Sequence, residues 1–142
     1  MFALDPRLEQ DTIALGDLPL SRLLLMNDSQ YPWLILVPRR VEVSEVFQLS
    51  ADDQAVLWRE ASAVAEVLKD VFKADKMNVA NLGNVVSQLH VHVIARRRDD
   101  AAWPGPVWGR HPAVAYDDAQ LQRLREKLQM ALDEGFSFER RD

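Results

Sequence analysis

The chain has 142 residues, the length of one domain, and with 48% hydrophobic residues it can bury one sizeable core. It contains no cysteine, which excludes disulfides, thiolate metal sites and a cysteine nucleophile. A net charge of −5 argues against wholesale electrostatic binding of nucleic acid or of an anionic membrane. The first ten residues are mixed in charge and lack an apolar signal-peptide core, and apolar runs such as 33–37 are too short to cross a bilayer. The expectation is one domain over 1–142, cytoplasmic, with no membrane or nucleic-acid partner.

In chain order, residues 11–15 and 20–26 read as strands of a loose hairpin around Gly16 and Asp17, with Pro19 near the turn. Residues 33–37 form a continuous apolar run between Pro32 and Pro38, consistent with a buried strand. Ser50 followed by Ala51, Asp52 and Asp53 offers a helix N-cap with acids in the first turn. Leu57, Ala61, Val64, Leu68 and Val71 then recur at steps of four and three, predicting a helix over Ala51–Phe72. Two strands follow, over 77–81 and 88–96, joined by Leu82-Gly83-Asn84-Val85-Val86-Ser87. A second helix over 118–132 places Leu121, Leu124, Leu128 and Leu132 on one face. The order and the short links predict an α+β fold, an antiparallel sheet of about five strands with two helices packed on it.

Two of the three histidines, His90 and His92, fall in the strand over 88–96. Residues two apart in a strand share a face, so Gln88, His90 and His92 form one polar stripe, with Leu89, Val91 and Val93 opposite. Three readings of the stripe are open. It is a half-exposed strand of ordinary alternation, a two-imidazole metal chelate, or the seat of a nucleophilic histidine. For a metal, no third ligand is evident: His111 lies far along the chain, and Asp99 and Asp100 lie beyond the strand. For phosphoryl chemistry the parts are coherent, since one imidazole nitrogen attacks while His92 and Gln88 flank it with N–H donors.

The segment Gln88-Leu89-His90-Val91-His92-Val93-Ile94 resembles the signature of the histidine-triad (HIT) family, His-φ-His-φ-His-φ-φ with φ apolar, at six of its seven positions. The run Leu23-Leu24-Leu25-Met26-Asn27-Asp28, the Pro-bounded apolar strand after it, the long helix and Trp103-Pro104-Gly105 are also similar to that family. The resemblance implies a HIT-like fold and a nucleotide-binding hydrolase or nucleotidyl transferase acting at an α-phosphate. It implies that His90 is the nucleophile, that His92 contacts the phosphate, and that the carbonyl of residue 88 orients His90. Gln88 stands at the first histidine position, where its amide is a further donor to a phosphate oxygen. A binding module with little turnover is the alternative. The resemblance also implies a homodimer, and neither a cofactor nor an obligatory metal is expected.

Four residues complete the expected nucleotide site. Asn27 falls where the family places an Asn or Asp on the ribose hydroxyls, and as a plain residue it belongs to a turn. Asn81 ends a strand on the phosphate side or simply satisfies backbone groups there. Gly83 and Asn84 form either a close phosphate approach or an ordinary turn, and the family's Gly-Gln-Ser/Thr approach is absent. Arg96, Arg97 and Arg98, with Arg39 and Arg40, are solvated charges or a basic rim beside the phosphate. His111 reads as a surface-loop residue, and Trp103 and Trp108 as loop anchors or pocket walls.

Overall fold

A computed structural model describes residues 1–133 and 139–140. In chain order the elements are α1 (Pro6–Asp11), β1 (Thr12–Asp17), β2 (Ser21–Met26), β3 (Trp33–Pro38), α2 (Ala51–Phe72), β4 (Lys76–Ala80), β5 (Val91–Arg96), α3 (Asp118–Asp133) and β6 (Glu139–Arg140). The strands form one sheet in the order β4-β5-β3-β2-β1-β6, every neighbouring pair antiparallel. Five strands carry it and β6 adds two residues at the edge, so the expected HIT-like α+β architecture is the one observed. Among the described residues no helix is long and apolar enough to cross a membrane.

The sheet is covered on both faces, and this places the histidines. Alternation sends Leu23, Leu25, Leu34, Leu36, Val91 and Val93 to one face, against Leu57, Ala61, Val64 and Leu68 of α2 and Leu128 and Leu132 of α3. The opposite residues Leu24, Trp33, Ile35, Val37 and Ile94 pack against Leu8 of α1 and Ala102 and Val107 of the loop after β5. Both helices foreseen from periodicity therefore lie on one face. The other face is closed by α1, a helix not foreseen. It begins with Asp5, whose side chain accepts from the Arg7 amide, and with Pro6 at a first-turn position.

The helix α2 has the bounds its periodicity predicts. Ser50 caps it by accepting from the Asp53 amide, and Lys73 ends it in the left-handed conformation. Its apolar face carries one acid, Glu60, only 5% exposed, whose Oε2 accepts from the Leu20 amide at 2.8 Å. Burial raises the pKa of that carboxyl. Two boundaries differ from expectation. The β1–β2 turn lies beyond Gly16 and Asp17, which remain in β1 after a bulge between Ala14 and Gly16. Strand β5 begins at Val91 rather than residue 88, because its ladder partners end at Leu36 on β3 and Ala80 on β4.

The arginines serve the framework rather than a phosphate rim. Arg96 is 1% exposed; it grips Asp100 through Nε and Nη2 at 2.8 and 3.0 Å and donates to Asn78 Oδ1 at 2.9 Å. Its guanidinium also lies 5.7 Å from the ring centres of Tyr31 and of Trp103. Burial alone would raise the Asp100 pKa. The Arg96 bond, with the amides of Arg97 and Trp103, outweighs burial and holds the carboxyl below its ordinary value. Arg97 pairs with exposed Asp99, Arg40 with Asp53, and Arg39 donates to the carbonyls of Leu18, Pro19 and Leu20.

Removing one member of a buried pair strands the other charge. Asp100→Ala is expected to lower the unfolding free energy in urea by roughly 3–5 kcal/mol. Asp99→Ala, at an exposed pair, should change it by no more than about 0.5 kcal/mol.

Candidate functional site

Strand alternation turns His92 to the same face as Ile94 and away from α2, and His90, just before the strand, lies beside it. The two rings are 4.8 Å apart between centroids and inclined at 71°. Both side chains are buried, at 4% and 3% exposure, so the polar stripe faces a covered interior rather than solvent.

The protonation of each ring follows from its partners. His90 Nδ1 lies 2.7 Å from the Gln88 carbonyl, and a carbonyl only accepts, so Nδ1 carries a hydrogen and the neutral ring has its lone pair on Nε2. His92 is the reverse. The Trp33 indole N–H donates to His92 Nδ1 at 3.0 Å, which leaves Nε2–H to donate to the Leu82 carbonyl at 3.1 Å. Trp33 reaches His92 because it pairs with Ile94 while His92 pairs with Ile35, making the two diagonal neighbours across the ladder. Burial, then the neighbouring His90, lowers the His92 pKa from 6.5 to about 4. His92 is therefore a neutral, doubly bonded imidazole near pH 7.

Both histidines line a pocket of about 360 Å³. Its apolar wall includes Leu8, Met26, Val86 and Trp108, and its polar margin includes Arg7, Asp11 and Asn84. Trp108 meets the His92 ring edge to face at 5.0 Å and that of Trp33 at 5.9 Å. Among the described residues no group of three or more His, Asp or Glu is disposed to hold a metal ion.

The comparisons with known proteins agree with this geometry. The family model described as the HIT domain matches residues 7–99. The chain belongs to the HIT family. A histidine triad protein from Marinobacter aquaeolei VT8 superposes with a TM-score of 0.92 at 48% identity, over 94% of this chain and 98% of its own. One from Bradyrhizobium japonicum gives 0.89 at 49% identity, over 92% and 97%. One from Sinorhizobium meliloti 1021 gives 0.90 at 48% identity, over 93% and 98%. No curated protein matches the chain.

This HIT chain places its expected site residues unequally. His90, His92 and Asn84 share the pocket. Gly83 lies against His90: a Cβ there would stand 3.5 Å from His90 Cε1 and 2.8 Å from the Val86 carbonyl oxygen, so a side chain would push the loop away. Asn81, Gly83 and Asn84 also line a smaller polar cavity of about 240 Å³ with Ser44, Glu45 and Ser87. Asn27 follows Met26 of the pocket wall, but its Oδ1 accepts from the Tyr116 amide at 3.0 Å.

Gln88 requires a correction. Its carbonyl serves His90, but its amide does not turn to the histidines. Oε1 accepts from the Asp5 amide and Nε2 donates to the Ala3 carbonyl, each at 2.8 Å. Residue 88 precedes the first ladder pair, so strand alternation does not govern its side chain. The N–H expected of His92 for a phosphate is likewise engaged, by Leu82. Sequence reasoning missed Arg7, Leu8, Asp11 and Met26 in the pocket, and the N-terminal Asp5-Pro6 cap signal would have pointed to α1. His111 Nε2–H donates to the Ala101 carbonyl at 3.1 Å from an exposed loop.

The depressed His92 pKa gives the fold a pH dependence. The unfolded imidazole takes up its proton near pH 6.5 and the folded one only near 4, so stability is full above 6.5 and falls as pH drops through that window. Urea melts from pH 7 to 4 should lose ~3 kcal/mol from this group. His92→Asn should remove that part of the slope, and an unaltered slope would contradict the assignment.

Proposed function

We propose that this HIT protein is a hydrolase or nucleotidyl transferase acting at the α-phosphate of a nucleotide conjugate through a nucleotidyl-His90 intermediate. HIT proteins are generally nucleotide hydrolases or transferases, which supplies the reaction class. The observation that carries the reading is the 2.7 Å bond from His90 Nδ1–H to the Gln88 carbonyl. In the neutral ring that bond places the lone pair on the opposite nitrogen, Nε2, in a pocket of a size suited to a small ligand.

In the first step the Nε2 lone pair forms a bond to phosphorus and the bond from phosphorus to the leaving oxygen or nitrogen breaks. The leaving group departs with its electron pair and takes a proton. The ring, nucleotidylated at Nε2 and still protonated at Nδ1, is cationic, and the Gln88 carbonyl stabilises that charge. Water then attacks phosphorus, the N–P bond returns its pair to Nε2, and the water proton is released.

In this reading Gln88 stands at the first position of the triad, and its catalytic part is its backbone carbonyl. His92 Nε2–H exchanges the Leu82 carbonyl for a phosphate oxygen as charge gathers there. Gly83 and Asn84 border the phosphate, Asn81 supports them from the smaller cavity, and Asn27 offers its amide nitrogen to a ribose hydroxyl. The base lies against the apolar wall of Leu8, Met26 and Trp108. Substrates of dinucleoside polyphosphate or nucleoside phosphoramidate type present the required centre. The protein is also proposed to be a homodimer joined through α2 and the β4 strand after it, a strand paired on one side only among the described residues, with Val79 exposed along that edge.

Intact-mass analysis after mixing with adenosine phosphoramidate or a diadenosine polyphosphate tests the mechanism. The wild type should carry an adenylyl adduct, His90→Ala none, and His92→Ala should turn over more slowly by roughly 10²–10³. Full turnover by His90→Ala would end the proposal. Sedimentation equilibrium at micromolar concentration should return twice the chain mass, whereas the mass of one chain would refute the dimer.

A further inference from the structure

The amide of Gln88 makes two hydrogen bonds to a segment more than eighty residues away in sequence. Nε2 donates to the Ala3 carbonyl and Oε1 accepts from the Asp5 amide. The same residue presents its own carbonyl to His90. Gln88 thus joins the N-terminal segment to the nucleophile's support in a single side chain.

What Gln88 moors is part of the pocket. Asp5, held by its amide, caps α1 with its carboxylate on the Arg7 amide at 2.8 Å. The helix has six residues, too few to persist alone, so its position depends on such anchors and on the buried Leu8. It delivers Arg7, Leu8 and Asp11 to the wall facing His90 and His92. Arg7 is the one lysine or arginine among the lining residues, and His92 contributes no positive charge. The Arg7 side chain is 65% exposed and only loosely paired, its Nε 3.8 Å from the Asp11 carboxylate. An exposed pair of that kind holds a guanidinium weakly. An anionic ligand entering the pocket meets Asp11 as a repulsive charge unless Arg7 turns to it, and a guanidinium suits phosphate oxygens well.

Resting on the function proposed above, we infer that Arg7 binds an anionic phosphate oxygen of the nucleotide, and that the Gln88 side chain is the positioning residue that holds Arg7 in place. The departure from histidine at residue 88 then acts on ligand recognition rather than on the attacking nitrogen. A histidine at 88 offers one acceptor and one donor only while neutral and loses the acceptor on protonation, whereas the amide keeps both.

The test measures affinity for AMP and for adenosine by tryptophan fluorescence, since Trp33 and Trp108 adjoin His92. The ratio of the two affinities isolates recognition of the phosphate and controls for a folded pocket. Arg7→Met should lower that ratio about tenfold, the loss of one charge-assisted bond, while leaving adenosine binding in place. Arg7→Lys should restore most of it, because the charge is kept. Gln88→Leu should lower the ratio comparably, and Arg7→Met/Gln88→Leu should lower it no further than Arg7→Met alone. A ratio unchanged in Arg7→Met overturns the inference for Arg7. Effects that multiply in the double variant overturn the positioning role of Gln88. If the wild type bound AMP and every variant bound it equally, only this inference would fall. If the wild type bound neither ligand and formed no adduct, the proposed function would fall with it.

Discussion

A backbone carbonyl cannot donate, and this chain aims one such group at each imidazole of the pocket. The Gln88 carbonyl fixes the hydrogen of His90 on Nδ1, and the Leu82 carbonyl fixes that of His92 on Nε2. The Trp33 indole completes the second arrangement by donating to His92 Nδ1. Two rings 4.8 Å apart are thereby given opposite tautomers, one with a lone pair free and the other with both nitrogens engaged. Burial makes the charged form of His92 costly, so a neutral ring with both nitrogens hydrogen-bonded is the state the interior permits there.

The layers of the fold exist around that requirement. Helices α2 and α3 cover one face of the sheet with an apolar core of the usual kind. The histidine face is closed by lighter means, namely the six-residue α1, the N-terminal segment and the loop carrying Trp108. A face closed by short segments leaves a pocket where a third helix would fill it. The loop is held on by the Arg96–Asp100 pair, whose carboxylate also gathers the amides of Arg97, Ala102 and Trp103. A charge buried this deeply contributes definition to the loop, since breaking it leaves an ion without a partner.

Such dependence on mooring explains why one residue carries two duties. The main chain of Gln88 is indifferent to its side chain and supports His90 whatever residue stands there. Its side chain is therefore free to vary, and here it binds the segment that walls the pocket. Support of His90 by the backbone and mooring of the N-terminal segment by the side chain can change independently at one position.

Local patterns were enough to read much of this from the chain. The helix Ala51–Phe72 and the buried strand beginning at Trp33 match their periodicity, because 3.6- and two-residue repeats decide which faces are apolar before any long-range contact forms. The pairing of His90 with His92 and the motif's resemblance to the HIT family were legible for the same reason. Features made by partners distant in sequence were not. Nothing local marks Glu60 as a ligand of the Leu20 amide, Arg96 as buried, or Arg7 as a wall of the histidine pocket. The pairing of β5 stops at Leu36↔Val91 and Ala80↔His92 although β3 itself continues to Pro38, and off the ladder Gln88 is free to reach Ala3 and Asp5. The sequence by itself determined which residues are apolar and where the two long helices run. Tertiary structure alone decided which hydrogen-bonding groups each of them would meet, because those partners lie as many as eighty-nine positions away and only folding brings them within hydrogen-bonding distance.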